Sequence, residues 1–185
     1  MKHKLLIAIA VLLVVNVVLM GVSFASKRVI PAVYAQEEAK YRALTMDEYI
    51  LLNLPVVSGK RYLANVQMPR ANLYQVDLNM AMLAFADLEG ANLVNAKLKD
   101  ADLGDANLAN ADLEGANLAN AFLVNADLSG ANLTGARLAG TDLGGANLTG
   151  ANLTGTGLTD AGYDNSTIWP EGFDAEASGA VLLGE

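Results

Sequence analysis

Apolar and polar positions recur along most of this chain with a period of five. From Leu73 to Leu158 a leucine occupies every fifth position, and an alanine precedes nearly every one by two residues. Five residues turn an α-helix by about 140°, which would scatter these leucines around its surface. An unbroken strand would send successive leucines to opposite faces. The pattern predicts instead a three-residue extended piece, Ala-(Asp/Asn)-Leu, with its first and third side chains inward, followed by a two-residue turn that brings the next pair inward again. The chain must therefore coil. The second turn residue agrees: it is Gly at 90, 115, 130, 135, 140, 145, 150 and 155 and Asn at 95, 110, 120 and 125. Both tolerate the positive φ of a type II turn. The expected core is the leucine row Leu88, Leu93, Leu98, Leu103, Leu108, Leu113, Leu118, Leu123, Leu128 and Leu133. Each buried leucine contributes ~1.5–3 kcal/mol by removal from water.

Units such as Ala101-Asp102-Leu103 and Ala116-Asn117-Leu118 resemble the A(D/N)LXX repeat of the pentapeptide-repeat family over roughly 63–168. The resemblance implies an all-β solenoid, a right-handed quadrilateral β-helix with four pentapeptides per coil. About five coils would make a rod on the order of 25 Å long at ~4.8 Å per strand. Departures gather at the ends, where Met68, Tyr163 and Ile168 stand in for leucine and Val76 for alanine, while Thr141 and Thr156 are small polar substitutes inside the array. Terminal repeats of a solenoid are expected to be atypical because they cap it.

Outside the array, residues 1–25 read as a signal peptide or a transmembrane anchor. Leu5 to Ala25 carries no charge and only Asn16 and Ser23 as polar side chains. As a helix it would reach ~31 Å, enough to cross a bilayer core. Ser23-Phe24-Ala25 also fits a cleavage site, so both outcomes stand open. Lys2 and Lys4 precede the apolar run, and Lys27 and Arg28 follow it. Charge therefore sets no clean orientation; the short N-terminal flank favours repeats outside. Residues 26–35 read as a linker, and 36–62 as an N-terminal helical cap with Thr45-Met46-Asp47-Glu48 as a capping box. Residues 63–168 form the repeat array and 169–185 a C-terminal cap. Thr167-Ile168-Trp169-Pro170-Glu171-Gly172-Phe173-Asp174 is similar to a closing segment found on many cyanobacterial members of the family.

With four repeats per coil, residues 20 apart stack into outward columns. Asn72, Asn92, Asp112, Asn132 and Asn152 form one, with the makings of a side-chain ladder. Asp77, Lys97, Asn117 and Arg137 form another, with Lys99 nearby, and Met82, Asp102, Phe122 and Asp142 a third. The most apolar exterior, Met80, Met82, Phe85, Phe122 and Val124, is the candidate protein contact. Two readings compete: a contact surface, or residues lying beneath the N-terminal cap, with Asp102 separating Met82 from Phe122.

The formal net charge is −8, and residues 63–168, with twelve Asp/Glu against Arg70, Lys97, Lys99 and Arg137, account for all of it. Such a rod repels nucleic acid and anionic lipid surfaces. The acidity either solubilises the rod or meets a basic partner. The single histidine, His3, lies in the N-terminal signal or anchor region, and there is no cysteine. No base is placed to activate a serine, and no His or Cys is available for a metal. No catalysis, cofactor, metal or nucleic-acid partner is expected. The expected function is a noncatalytic interaction or assembly scaffold on the lumenal side of a thylakoid or in the periplasm, with a membrane engaged through residues 5–25. The alternatives are a cytosolic DNA mimic that protects topoisomerases and an accessory subunit of a transporter or photosynthetic complex.

Overall fold

A computed structural model of the chain describes residues 61–184. The expected anchor, linker and helical cap, with the capping box at Thr45, lie outside the described residues. Among the described residues no helix is long and apolar enough to cross a membrane.

The five-residue period becomes a four-sided coil. Bridges join residues 20 apart in parallel, as in Met82 to Asp102 to Phe122 to Asp142. Each extended piece donates and accepts along the rod: Leu113 N–H to Asn132 O at 2.8 Å, Asp112 N–H to Ala91 O at 2.9 Å. Each corner closes with a four-residue turn, such as Ala111 N–H to Leu108 O at 3.0 Å. Every fifth residue from Asn65 to Asp160 takes a positive φ, as the type II turn demands. The leucines from Leu73 to Leu148 and nearly all the preceding alanines have lost all but a trace of their exposure.

The Asp/Asn before each leucine has a mechanical role. Wherever Asn or Asp stands there, its Oδ1 accepts the backbone N–H two residues on, from Asn72 to Asn152. This bond satisfies an N–H that the ladder leaves over at the start of each turn. The same side chains also link coils. Asn92 Nδ2 reaches Asn72 Oδ1 at 3.2 Å and Asn132 Nδ2 reaches Asp112 Oδ1 at 3.0 Å, so that column is laddered pairwise. Asn107 to Asp87 and Asn147 to Asp127 repeat this on the neighbouring face.

Inside the rod, Thr141 Oγ1 donates to Leu118 O at 2.9 Å and Thr156 Oγ1 to Leu133 O at 2.8 Å. A hydroxyl in an alanine slot is thus paired within the preceding coil.

The C-terminal end corrects one expectation. Ile168 does not take a leucine place; it bridges Asn147, 21 residues away instead of 20, and is 52% exposed. One extra residue between Tyr163 and Thr167 shifts the register, so Thr167 enters the alanine slot, donating to Leu143 O at 2.9 Å. The leucine position passes to Trp169, which meets Tyr163 edge-on with centroids 5.4 Å apart and stacks on Phe173 at 5.2 Å. β1 (Gly162–Tyr163) then pairs in parallel with β2 (Val181–Leu182), the last strand of the rod.

Asp164 clasps the enlarged turn. Its Oδ1 accepts from Ser166 Oγ at 2.7 Å, Ser166 N at 2.9 Å, Gly145 N at 3.0 Å and Thr167 N at 3.1 Å. These bonds, led by the Ser166 hydroxyl and the Gly145 N–H, hold its carboxyl down from the usual 3.8 to about 2. The folded form is the stronger acid, so this contribution to stability is complete above the unfolded value and is lost as pH falls through the folded one. An NMR titration should place the Asp164 carboxyl midpoint near 2, and Asp164→Asn should flatten the acid limb of stability between about pH 4 and pH 2. A midpoint near 3.8 would show that the clasp is open in solution.

Candidate interaction face

The rod has four faces, each defined by its column of residues preceding the leucines. Two keep the repeat chemistry nearly unbroken: the Asn107 face (67, 87, 107, 127, 147) and the Asn92 face (72, 92, 112, 132, 152), where only Gln67 is not Asp or Asn. The other two are adjacent and depart from it. On the Lys97 face, Lys97 and Arg137 take the place of Asp/Asn. On the Phe122 face, Tyr62, Met82 and Phe122 do. These side chains have no carboxylate or amide oxygen to accept the N–H two residues on, so each departure gives up a local bond; at Lys97 that N–H, on Lys99, is taken up instead by Asn79 Oδ1 of the preceding coil at 3.0 Å. A sequence that breaks its own rule in one place marks a site where something besides folding is selected.

The corners of the Phe122 face carry the same signal. Met80 and Phe85 sit at φ of 57° and 60°, where a Cβ is strained and later coils place Gly, Asn or Asp. Arg70 and Gln75 take the same conformation in the first coil, so the corner departure is widest at that end. Phe122 is 55% exposed, Phe85 56% and Met80 44%; Met82 and Val124 are half-buried.

Met80, Met82, Phe122 and Val124 converge on a shallow hollow of 430 Å³, whose lining is completed by Asp100, Asp102 and Gly104. Phe85 lies on the same corner as Gly104 and Val124, one position further along the turn, and does not line it. Column arithmetic places Met82, Asp102 and Phe122 together but passes over two lining residues: Asp100, below Met80 on the shared corner, and Gly104, one coil before Val124; each is 20 residues from one of the five candidates. Tyr62 heads the Met82 column without lining the hollow.

The electrostatics are local. Lys97 Nζ pairs with Asp77 Oδ2 at 3.4 Å within its own column, and Lys99 Nζ with Asp100 Oδ2 at 3.8 Å across the corner. All four side chains are largely in solvent, where such pairs contribute little. Among the described residues no cluster of metal-ligating side chains occurs.

The model of the family of pentapeptide repeats matches residues 62–95, 96–135 and 131–161, in eight copies. The chain belongs to the pentapeptide-repeat family. Among solved structures it is similar to the pentapeptide repeat protein Rfr23 from the cyanobacterium Cyanothece 51142, with 36% identity and a TM-score of 0.58 over 59% of this chain and 88% of that one. A pentapeptide repeat protein of the Arabidopsis thaliana thylakoid lumen matches at 34% identity and a TM-score of 0.43, over 57% of this chain and 70% of that one. One from Nostoc Pcc 7120 matches at 34% identity and 0.42, over 68% and 88%. No curated protein matches the sequence. Pentapeptide-repeat proteins form right-handed quadrilateral β-helices, and the coil of this chain is one of them.

Proposed function

We propose that this pentapeptide-repeat protein is a noncatalytic scaffold that binds a protein partner through the Phe122 face. The observation that carries this reading is the segregation of departures. Large apolar side chains replace Asp/Asn at 62, 82 and 122 in one column and replace Gly/Asn at the corners 80 and 85, while the opposite Asn92 face keeps Asp/Asn throughout its column. The coil fixes these side chains on a hydrogen-bonded frame, so binding them costs little ordering of the backbone. The uncharged run Leu5 to Ala25 supports display on the lumenal or periplasmic side of a membrane, either tethered or released. A membrane complex, such as a transporter or a photosynthetic assembly, is then the natural partner class. A cytosolic DNA mimic rests on net charge alone. The faces that depart from the repeat carry apolar and basic side chains, which the phosphate backbone of a duplex lacks.

The test is to restore the repeat. Met82→Asn and Phe122→Asn supply the missing Oδ1, and each is expected to leave stability unchanged or raise it by about 0.5–1 kcal/mol, the net value of one hydrogen bond. A photo-crosslinker at residue 122 should give protein adducts in the membrane fraction of the cells that make the protein, whereas one at residue 92 should not. Equal labelling from both faces, or a marked loss of stability in Phe122→Asn, would assign these residues to the fold alone.

A further inference from the structure

One of the residues lining the hollow on the Phe122 face, Gly104, has no side chain. Gly104 occupies the place that Ala84 fills one coil earlier and Val124 one coil later. Its φ is not in the left-handed region, so the backbone does not require glycine there. Nor does crowding: a Cβ would lie 3.4 Å from Asp102 Oδ1 and 3.9 Å from Val124 O, an ordinary contact. What the glycine supplies is space, at some cost in chain entropy relative to alanine.

The lining has two chemistries. Met82 and Phe122 stand on either side of Asp102 along the rod, about 10 Å apart across two coils, with Gly104 two residues on from Asp102 at the same level, and Met80 and Val124 beside them. Asp100 and Asp102 bring two carboxylates to the same hollow. Asp102 accepts the Gly104 N–H at 3.2 Å and is half-buried; Asp100 accepts Asn120 Nδ2 at 3.1 Å and lies 3.8 Å from Lys99 Nζ, a solvent-exposed pair that contributes little and that a partner's cation can replace. The column continues to Asp142, and the repeat array as a whole is strongly acidic. A carboxylate beside methionine and phenylalanine is complementary to a cation carried next to an apolar group. The shape narrows the class further. Pockets for small molecules bury 70–90% or more of the ligand, roughly, whereas this hollow opens outward along a flat face. A chain segment laid across the face can extend its contact beyond the hollow; a small molecule cannot.

We infer that the hollow takes a protein segment in which a large apolar side chain stands within a few residues of lysine or arginine. The apolar group sits over Gly104 against Met82, Phe122 and Val124, and the cation meets Asp102 and Asp100. This rests on the reading of the Phe122 face as a contact surface, and it adds the chemistry of the partner.

A random dodecapeptide display library selected on the purified full-length chain tests it. Enriched peptides should combine Phe, Leu, Met or Trp with Lys or Arg. Their affinity should fall at least tenfold on Gly104→Val, which puts into the hollow the side chain already present at 124, and on Asp102→Lys, which places there the residue type found at 97. It should be unchanged on Asp112→Lys, on the opposite face. Thermal unfolding of Gly104→Val close to that of the parent would show that the loss is not one of folding. Enriched peptides that are apolar but uncharged or acidic, and that still fail on Gly104→Val, would overturn the basic-partner inference and leave the contact face standing. Peptides that bind Gly104→Val as well as the parent would overturn both. A library that yields no enrichment would overturn the inference, because the hollow is already formed in the free protein.

Discussion

Leu113→Ala is expected to destabilise the rod by about 2–5 kcal/mol in equilibrium denaturation, the range for large-to-small changes at buried leucines. Leu113 is 0% exposed, as are Leu93 and Leu103 before it and Leu123 and Leu133 after it. The backbone around the lost side chain cannot close in. Leu113 N–H is tied to Asn132 O and Asp112 N–H to Ala91 O, so both neighbouring coils would have to shorten together to fill the void. The loss should therefore lie toward the upper part of the range, where cavities persist. Because each coil contacts only its neighbours, the effect should be largest in mid-rod. A change under about 0.5 kcal/mol, within the range of an ordinary surface substitution, would contradict the burial of Leu113.

The period of five exposed the coil, the turn type and the stacking interval because each leaves a mark at a fixed spacing. A leucine every fifth position excludes regular helix and strand together, and the Gly/Asn corners report the sign of φ directly. What the sequence hid was whatever breaks the count without breaking the look of the pattern. Tyr163 and Ile168 are five apart and both apolar, so the spacing reads as another repeat. The chain instead inserts one residue, turns Ile168 outward and seats Trp169 in its place. The clue was Thr167, since threonine already occupies alanine slots at 141 and 156. Corner chemistry is silent at Arg70, Gln75, Met80 and Phe85, which bear no mark of positive φ yet take it, each with its N–H bonded to a carbonyl of the next coil.

The candidate face was legible as a column but not as a hollow. Adding 20 to Met82 gives Asp102 and then Phe122, which on the sequence alone reads as an apolar row interrupted by an acid. In the coil the interruption is the feature: Asp102 lies between the two apolar side chains, with the empty place at Gly104 at the same level. Nothing in the composition distinguishes Gly104 from the corner glycines. Its position one residue after a leucine does, because that place does not take a positive φ in this rod.

Ala116→Leu is expected to cost about 1–3 kcal/mol or more, the usual penalty of overpacking. In mid-rod the slot two residues before each leucine holds alanine or Thr141, while the bulkier Val66 and Val76 appear only toward the N-terminal end of the described rod, where both are half-buried. All four sides of the coil at Ala116 are bonded above and below, so the bore cannot widen at one level without stretching the ladder at the next. The companion change Ala116→Thr separates length from polarity. Thr141 donates to the carbonyl 23 residues earlier, and the equivalent partner for residue 116 is Leu93 O, so a γ-hydroxyl there has an acceptor waiting. Ala116→Thr should then lose well under half of what Ala116→Leu loses, by denaturation at matched conditions. Equal losses would mean that the slot rejects any atom beyond Cβ, and that Thr141 persists only through a local widening near the C-terminal coils.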